Sequence, residues 1–280
     1  MNYVEFEPPG DLKNHVLCLW RLRDGAPEHN AQTVYPDGRC ELMVHLGTPM
    51  ARHRPETGWV PQAPVLFAGQ LTRAIRLAAR GPLDCVGVRI RPEASAGMAG
   101  TAVAALRDHV VDLAGVDAAF AGALARGAAT LASGDDPEAL HEILRDRCTR
   151  SPVDPAIVVA VEQIDATLGQ VTVSDLAAAT GLAARTLQTR FLAAVGLPAK
   201  TYARIVRLQA TIDALDRGEA PIAAVAVDRG FADQAHATRE ITQVTGLPPA
   251  RLRTALREAR SDEGTVRMAA AFVRGSAGSG

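Results

Sequence analysis

Residues 172–182 read TVSDLAAATGL and residues 221–231 read PIAAVAVDRGF. Val173, Leu176 and Ala177, ahead of Gly181-Leu182, align with Ile222, Val225 and Ala226, ahead of Gly230-Phe231, each displaced by 49. Gly196-Leu197-Pro198 returns as Gly246-Leu247-Pro248 at a displacement of 50. Self-similarity at such a period marks a repeated supersecondary unit. In each copy the apolar residues at i, i+3 and i+4 form one helical face. Thr172 with Asp175 fits a capping box that satisfies orphan amides at the first helix start. Pro221 fits the first helical position of the second copy, where its missing N–H costs nothing. Gly181 and Gly230 supply the positive φ that reverses the chain. Each copy therefore reads as helix, tight turn, helix.

The helix after each turn sorts its residues by face at about 100° per residue. Between Ala184 and Ala194, Leu187, Phe191 and Ala194 fall together, with Arg185, Gln188 and Thr189 opposite. Behind Asp233, a fitting N-cap, Ala237, Ile241 and Val244 form the inner side. Ala235, His236, Arg239 and Gln243 lie outside, with Gln234 in the exposed first turn. Arg can fork onto guanine, Gln onto adenine, and Thr or a small side chain can meet the thymine methyl. One polar stripe is usually only a solvated face; two capped units in tandem favour nucleic-acid reading. Between the units, Tyr202, Ile205, Leu208, Ile212 and Leu215 recur at helical spacing, predicting a connecting helix of about 15 to 18 residues, or roughly 22 to 27 Å. Successive major grooves on one DNA face lie about 34 Å apart, within reach of such a strut plus its two units. Lys200, Arg204 and Arg207 on its early turns are expected at phosphates, which fix register. Residues 162–260 carry 12 Lys+Arg against 10 Asp+Glu, a net of +2, so charge alone would not mark a DNA binder.

VSDLAAATGL from Val173, LQTRF from Leu187, GLPAKTYARIVRLQ from Gly196 and GFADQAHATREI from Gly230 resemble the AraC family of transcription regulators. The resemblance implies base contacts from Arg185, Gln188 and Thr189 in one helix and Gln234, His236 and Arg239 in the other. Ala237 and Ile241 stand where that family usually has aromatics, as does Leu252. In the front half, YPDGRCELMVHLG from Tyr35, VLFAGQLTRAIRL from Val65 and VGVRIRPEAS from Val86 are similar to an uncharacterised sensor-like domain that precedes AraC-type readers. That similarity implies a cupin-like β-barrel and a regulatory input.

The rest of the chain fits this division. Short apolar or alternating runs between Val16 and Ile90, broken by Gly and Pro, are strand signals. They are HVLCLWRLR from His15, CELMVHL from Cys40, WVPQAPVLFAGQ from Trp59, QLTRAIRLAAR from Gln70 and LDCVGVRI from Leu83. Val116 to Ala132 and Pro137 to Cys148 read as helices, with apolar faces that could pair with a second copy. TRSPVDP from Thr149 is the linker. The expected fold class is α+β. An N-terminal antiparallel β-barrel with helices, residues 1–150, serves sensing or dimerisation. An all-α double helix-turn-helix domain follows over 151–260, with a disordered tail, 261–280, that has too little apolar surface to order.

A small barrel can hold one small molecule. The polar and aromatic side chains on its strands or their ends, Trp20, Tyr35, Glu41, His45, Trp59, Arg73 and Arg89, are the candidate ligand contacts, two arginines and an aromatic being able to clamp an anion. The alternative makes Trp20 and Trp59 core, Arg73 and Arg89 solvated, and Glu41 with His45 a surface pair. Pro36-Asp37-Gly38 reads as a plain turn. Cys18, Cys40, Cys85 and Cys148 form no CxxC and no zinc-like pair, so no metal and no other cofactor is expected. The cysteines do not fit the alkyl-transfer repair proteins that can carry a similar reader, and no GxSxG occurs; no catalytic residue and no enzyme is expected. With 48% hydrophobic and 22% charged residues the chain excludes rods and wholesale disorder. No apolar run reaches membrane length, and the cytoplasm is the expected compartment. Double-stranded DNA is the expected partner, with a small-molecule effector, RNA polymerase and a second copy as further ones.

Overall fold

The computed structural model describes residues 1–27, 31–218 and 220–261; the tail expected at 261–280 lies, from 262 on, outside them. Among the described residues there are ten strands: β1 (Asn2–Phe6), β2 (Val16–Asp24), β3 (Gln32–Val34), β4 (Cys40–His45), β5 (Ala51–Arg54), β6 (Gly58–Pro61), β7 (Val65–Ala68), β8 (Ile75–Ala78), β9 (Leu83–Ile90) and β10 (Val110–Asp112). They form two antiparallel sheets, ordered β1-β2-β9-β4-β7-β10 and β3-β8-β5-β6. The expected run from Trp59 is two strands, parted by Gln62 to Pro64 into different sheets.

Strand β4, CELMVH, is buried along its whole length because each of its faces meets a core. Leu42 and Val44, with Leu19, Phe67, Val86, Val88 and Ile90, pack under α2 (Ala118–Gly134) and α3 (Glu138–Thr149). Met43, with Trp20, Leu22, Leu66 and Cys85, packs toward Met50, just ahead of β5, and Leu77 of the small sheet. Period-two alternation thus sends Glu41 and His45 to the same side as Met43, between the sheets. The apolar faces of α2 and α3, offered above for a second copy, are instead consumed here. Phe120, Leu124, Leu131, Leu140 and Leu144 are all buried against the sheet and each other.

After α1 (Ser95–Ala99), α2 and α3 the described residues form helices joined by turns. The expected linker joins two helices, with residues 150–154 outside both. Thr149 closes α3, and Pro155 opens α4 (Pro155–Ala166) with Asp154 as N-cap, accepting from the Ala156 amide at 3.0 Å. Two helix-turn-helix units follow, α5 (Val173–Thr180) with α6 (Ala184–Val195), and α8 (Ile222–Asp228) with α9 (Gln234–Thr245). Between them runs α7 (Ala199–Arg217), and α10 (Pro249–Ser261) closes the second unit. The capping box is formed: the Asp175 amide donates to Thr172 Oγ1 at 3.2 Å and the Thr172 amide to the Asp175 carboxylate at 3.1 Å. Pro221 caps α8 rather than occupying its first turn. The strut α7 has 19 residues, which at 1.5 Å each is about 28 Å.

Candidate nucleic-acid interface

In the first unit Leu187, Phe191 and Val195 are wholly buried, Phe191 lying 5.8 Å from the Tyr202 ring. Burying that stripe turns Arg185, Gln188 and Thr189 to solvent. Thr189 Oγ1 donates to the Arg185 carbonyl at 3.1 Å. Arg185 and Gln188 make no side-chain hydrogen bond or ion pair with a described residue, and both are free to fork onto a base edge.

The second unit has the same plan with a different surface. The Asp233 carboxylate accepts the His236 amide at 2.6 Å, fixing the start of α9, and Ala237, Ile241 and Val244 are buried. Gln234 and Arg239 are exposed. His236 is held by its own domain: Nδ1 accepts from the Ala232 amide at 3.3 Å, the ring meets Phe231 edge-on at 5.6 Å, and Nε2 lies 3.6 Å from Glu240. Glu240 also binds Arg204 at 3.3 Å and Arg207 at 3.1 Å. Arg204 donates to Gln243 Oε1 at 2.7 Å, and Arg207 lies 4.8 Å over the Phe231 ring. Of the strut cations expected at phosphates, Lys200 alone is exposed; Arg204 and Arg207 are tied to α9. These residues border a cleft of about 410 Å³ between the units, with Thr172 and Val173 opposite. The sequence reading missed Glu240 as a hub; its i, i+4 spacing from His236 was the available signal.

The front-domain candidates divide. Arg89 Nε donates to Glu41 at 3.1 Å, and its Nη2 lies 3.4 Å from Asp37. Trp20 lies against Gly87, where a Cβ would come within 2.1 Å of the indole, and it hydrogen-bonds Glu41. Burial pushes the Asp37 and Glu41 carboxyls up, while Arg89 opposes it. His45, two positions past Met43 on the same side, has Nδ1 3.1 Å from Cys85 Sγ, and burial pushes its pKa down to about 4. Trp20, Glu41 and Arg89 therefore meet between the sheets, with His45 along the same face. Tyr35, Trp59 and Arg73 do not join them. Tyr35 packs against the second unit's core, Trp59 is half-buried on the small sheet, and Arg73 is exposed. The two-arginine anion clamp does not form, because Arg89 is committed to two carboxylates and Arg73 is turned to solvent. Neither is Glu41–His45 a surface pair, both being buried.

The turn after Tyr35 proves to be a joint. Arg39 donates to the Tyr202 hydroxyl at 2.6 Å and to Asp165 at 3.0 Å, and Tyr202 donates to Asp165 at 2.9 Å. Gln209 of α7 donates to the Pro36 carbonyl. Gly38, at φ +77°, lies so close to Tyr202 that a Cβ would stand 2.8 Å from its ring. Burial pushes the Tyr202 hydroxyl pKa upward, as it does the Glu93 carboxyl nearby. At the second unit the Ala74 amide donates to the Val244 carbonyl at 2.8 Å. One five-residue turn thus reaches Arg89 through Asp37 and the strut through Arg39.

The four cysteines are free thiols. Burial pushes Cys18, Cys40 and Cys85 up to about 12 and Cys148 to about 11, the reverse of what a nucleophilic thiolate needs. No group of three or more His, Cys, Asp or Glu among the described residues is placed to hold a metal. No helix among them is long and apolar enough to cross a membrane.

The two outward faces on one strut, behind a two-sheet domain, define a tandem helix-turn-helix protein. Residues 176–255 match the family model of a helix-turn-helix domain, and residues 4–112 that of a domain of unknown function, DUF6597. The rear domain is thus a helix-turn-helix domain of the AraC type. Among solved structures, a probable AraC family transcriptional regulator from Rhodopseudomonas palustris CGA009 is 26% identical over 37% of this chain and 98% of its own, with a TM-score of 0.34. The C-terminal domain of AraT, a response regulator from Geobacillus stearothermophilus, is 18% identical over 38% of this chain and 88% of its own, at 0.35. ToxT from Vibrio cholerae is 9% identical over 84% of this chain and 98% of its own, at 0.46. No curated protein sequence matches the chain.

Proposed function

We propose that residues 151–260 read two adjacent major-groove segments, through Arg185, Gln188 and Thr189 on α6 and through Gln234 and Arg239 on α9, with Lys200 at a phosphate. The observation that carries this reading is the exposure of both faces on helices whose opposite sides are locked into the domain cores. His236 reaches a base only by leaving Phe231 and Glu240. Selection on random duplex DNA tests the proposal: wild type should enrich a sequence that an Arg185→Ala, Arg239→Ala double variant does not, and equal enrichment by both would overturn it.

Residues 1–150 act as the regulatory half. A small molecule entering between the sheets would meet Trp20, Glu41 and Arg89, and anything that draws Arg89 away releases Asp37. The turn then shifts at Arg39, and with it the hold on Asp165, Tyr202 and the strut. Such an effector acts by binding one arrangement of this joint better than another. Asp37→Asn should change DNA affinity several-fold while leaving sequence preference intact, and wild-type affinity in that variant would detach the turn from control. No catalytic step is assigned to the chain.

A further inference from the structure

The reading proposed above leaves a deficit of charge. Residues 162–260 have a net charge of only +2, whereas DNA binders neutralise several phosphates. Residues 51–80 hold five arginines, Arg52, Arg54, Arg73, Arg76 and Arg80, against the single acid Glu56, a net of +4 in a chain whose total is −1. This segment makes three of the four strands of the small sheet. None of the five arginines forms an ion pair with a described carboxylate. Arg73, Arg76 and Arg80 are exposed. Arg76 and Arg80 lie over the Trp59 ring at 5.6 and 4.8 Å, and His53 meets the same ring edge-on at 5.1 Å. Elsewhere on this sheet, burial and the neighbouring charges of Arg54 and Arg73 push the Arg52 pKa down. By register Arg76, His53 and Trp59 share one face of this sheet, and Arg52 lies on the other with Leu77 and Val60; the Trp59 face carries two guanidinium groups over one indole.

We propose that this face of the small sheet docks the phosphate backbone of the duplex that the rear domain reads, so that the front domain forms part of the DNA-binding surface. The proposal rests on that reading. Planar guanidinium forks match phosphate oxygens, and stacking on Trp59 holds two of them in place before a ligand arrives. Continuity selects DNA over other polyanions. The Ala74 amide, one residue past Arg73, donates to the Val244 carbonyl at the end of α9. Thr72 lines a small gap with Arg204, Glu240 and Val244. The basic face begins where the second reading helix ends.

The test is the salt dependence of binding by the full chain, measured by fluorescence anisotropy on a labelled duplex of arbitrary sequence and on a selected one, from about 50 to 200 mM KCl. Each lost phosphate contact flattens the slope of log K against log salt by about 0.9. Arg73→Gln should flatten it by about one, and the Arg73→Gln, Arg76→Gln, Arg80→Gln triple by two to three, with sequence preference unchanged. The corresponding triple lysine variant should restore the slope, because it is charge that releases counterions. A wild-type slope in the glutamine triple at unchanged melting temperature overturns the proposal. So does a lysine triple that behaves like the glutamine one. A shift of the glutamine triple's oligomeric state in sedimentation would assign the face to a second copy and likewise overturn it. Failure of the wild type to bind any duplex removes the rear-domain reading itself. Binding with a slope indifferent to these arginines removes this inference alone.

Discussion

On α6, Arg185 and Gln188 stand in solvent with no described partner. On α9 Gln234 and Arg239 are likewise exposed, but their neighbours turn back on the protein, His236 onto Phe231 and Glu240, and Gln243 onto Arg204. The two units share a glycine turn and a buried stripe, although the side-chain cap sits on α5 in one and on α9 in the other, and the contrast between the reading helices lies in what the polar residues do. A side chain already in solvent gives up little on meeting a base. One engaged in its own domain must first release those contacts, and the net gain shrinks. The first unit is therefore expected to dominate sequence discrimination, the second to hold the strut at its angle. The largest effect that sharpens this contrast is structural. Phe191→Ala empties a wholly buried site against Tyr202 and should cost about 3 to 5 kcal/mol in denaturant unfolding. Ile241→Ala in the second unit should cost about 2 to 5 kcal/mol, toward the lower end. A smaller loss for Phe191→Ala than for Ile241→Ala would reverse the roles.

Next in size is reading itself. Arg185→Ala should weaken binding to a selected duplex by about 1 to 3 kcal/mol and relax preference at one position. His236→Ala should cost under about 1 kcal/mol of affinity, because its present contacts are within the protein. Binding titrations against a panel of single-base variants check both. Equal losses from the two substitutions would mean that His236 leaves its pocket on DNA and that the units read alike.

Local chemistry made the repeat legible. Thr172 with Asp175, and Asp233 ahead of Gln234, specify helix starts within four residues, and the structure closes those caps as the spacing required. The first reading helix is expected from Ala184 to Ala194 and runs one residue further. Partners distant in sequence were not legible. Arg204 meets Gln243 across 39 residues, and Arg39 meets Asp165 across 126. No periodicity carries such pairings, so the sequence places all three strut cations at phosphates, although two are tied to α9, and reads the joint as a plain turn. Short strands failed for a related reason. Ala51–Arg54 reads ARHR, with no apolar alternation, and owes its extension to pairing with β6 and β8. Arg89 and Glu41 were legible as residue types on strands, but the cross-strand register that commits each to the other appears only in the fold.

The second unit also differs in its response to pH. Burial pushes the Asp213 carboxyl, in the half of α7 that the second unit packs against, up to about 6, with Arg217 and Arg229 opposing and Asp216 adding to the rise. A carboxyl raised above its unfolded value stabilises the fold fully below about pH 4, and that contribution is lost as pH rises through about 6. After allowance for solvent screening it is expected to amount to about 1 to 2 kcal/mol. Asp213→Asn should therefore raise the melting temperature at pH 7 to 8 and leave it nearly unchanged at pH 4. A variant that loses stability at pH 7 to 8 but not at pH 4 would show Asp213 acting through its ionised contacts instead.

The smallest expected effect bears most directly on how the units differ. Glu240 is the one carboxylate that Arg204, Arg207 and His236 share, and it borders the cleft between the units alongside exposed Lys200. Glu240→Gln keeps the shape and a hydrogen-bonding oxygen but removes the charge that holds two guanidinium groups inward. Each cation freed to meet a phosphate steepens the salt slope by about 0.9, worth roughly three- to tenfold in affinity at low salt. The gain should be the same on selected and arbitrary duplexes, since phosphate contacts carry no base information. If Glu240 instead serves mainly to set the angle of α9, the same substitution will lower affinity for the selected duplex and leave the arbitrary one alone. Anisotropy on the two duplexes separates these outcomes, and a selective loss would move the second unit from restrained reader to aligned one.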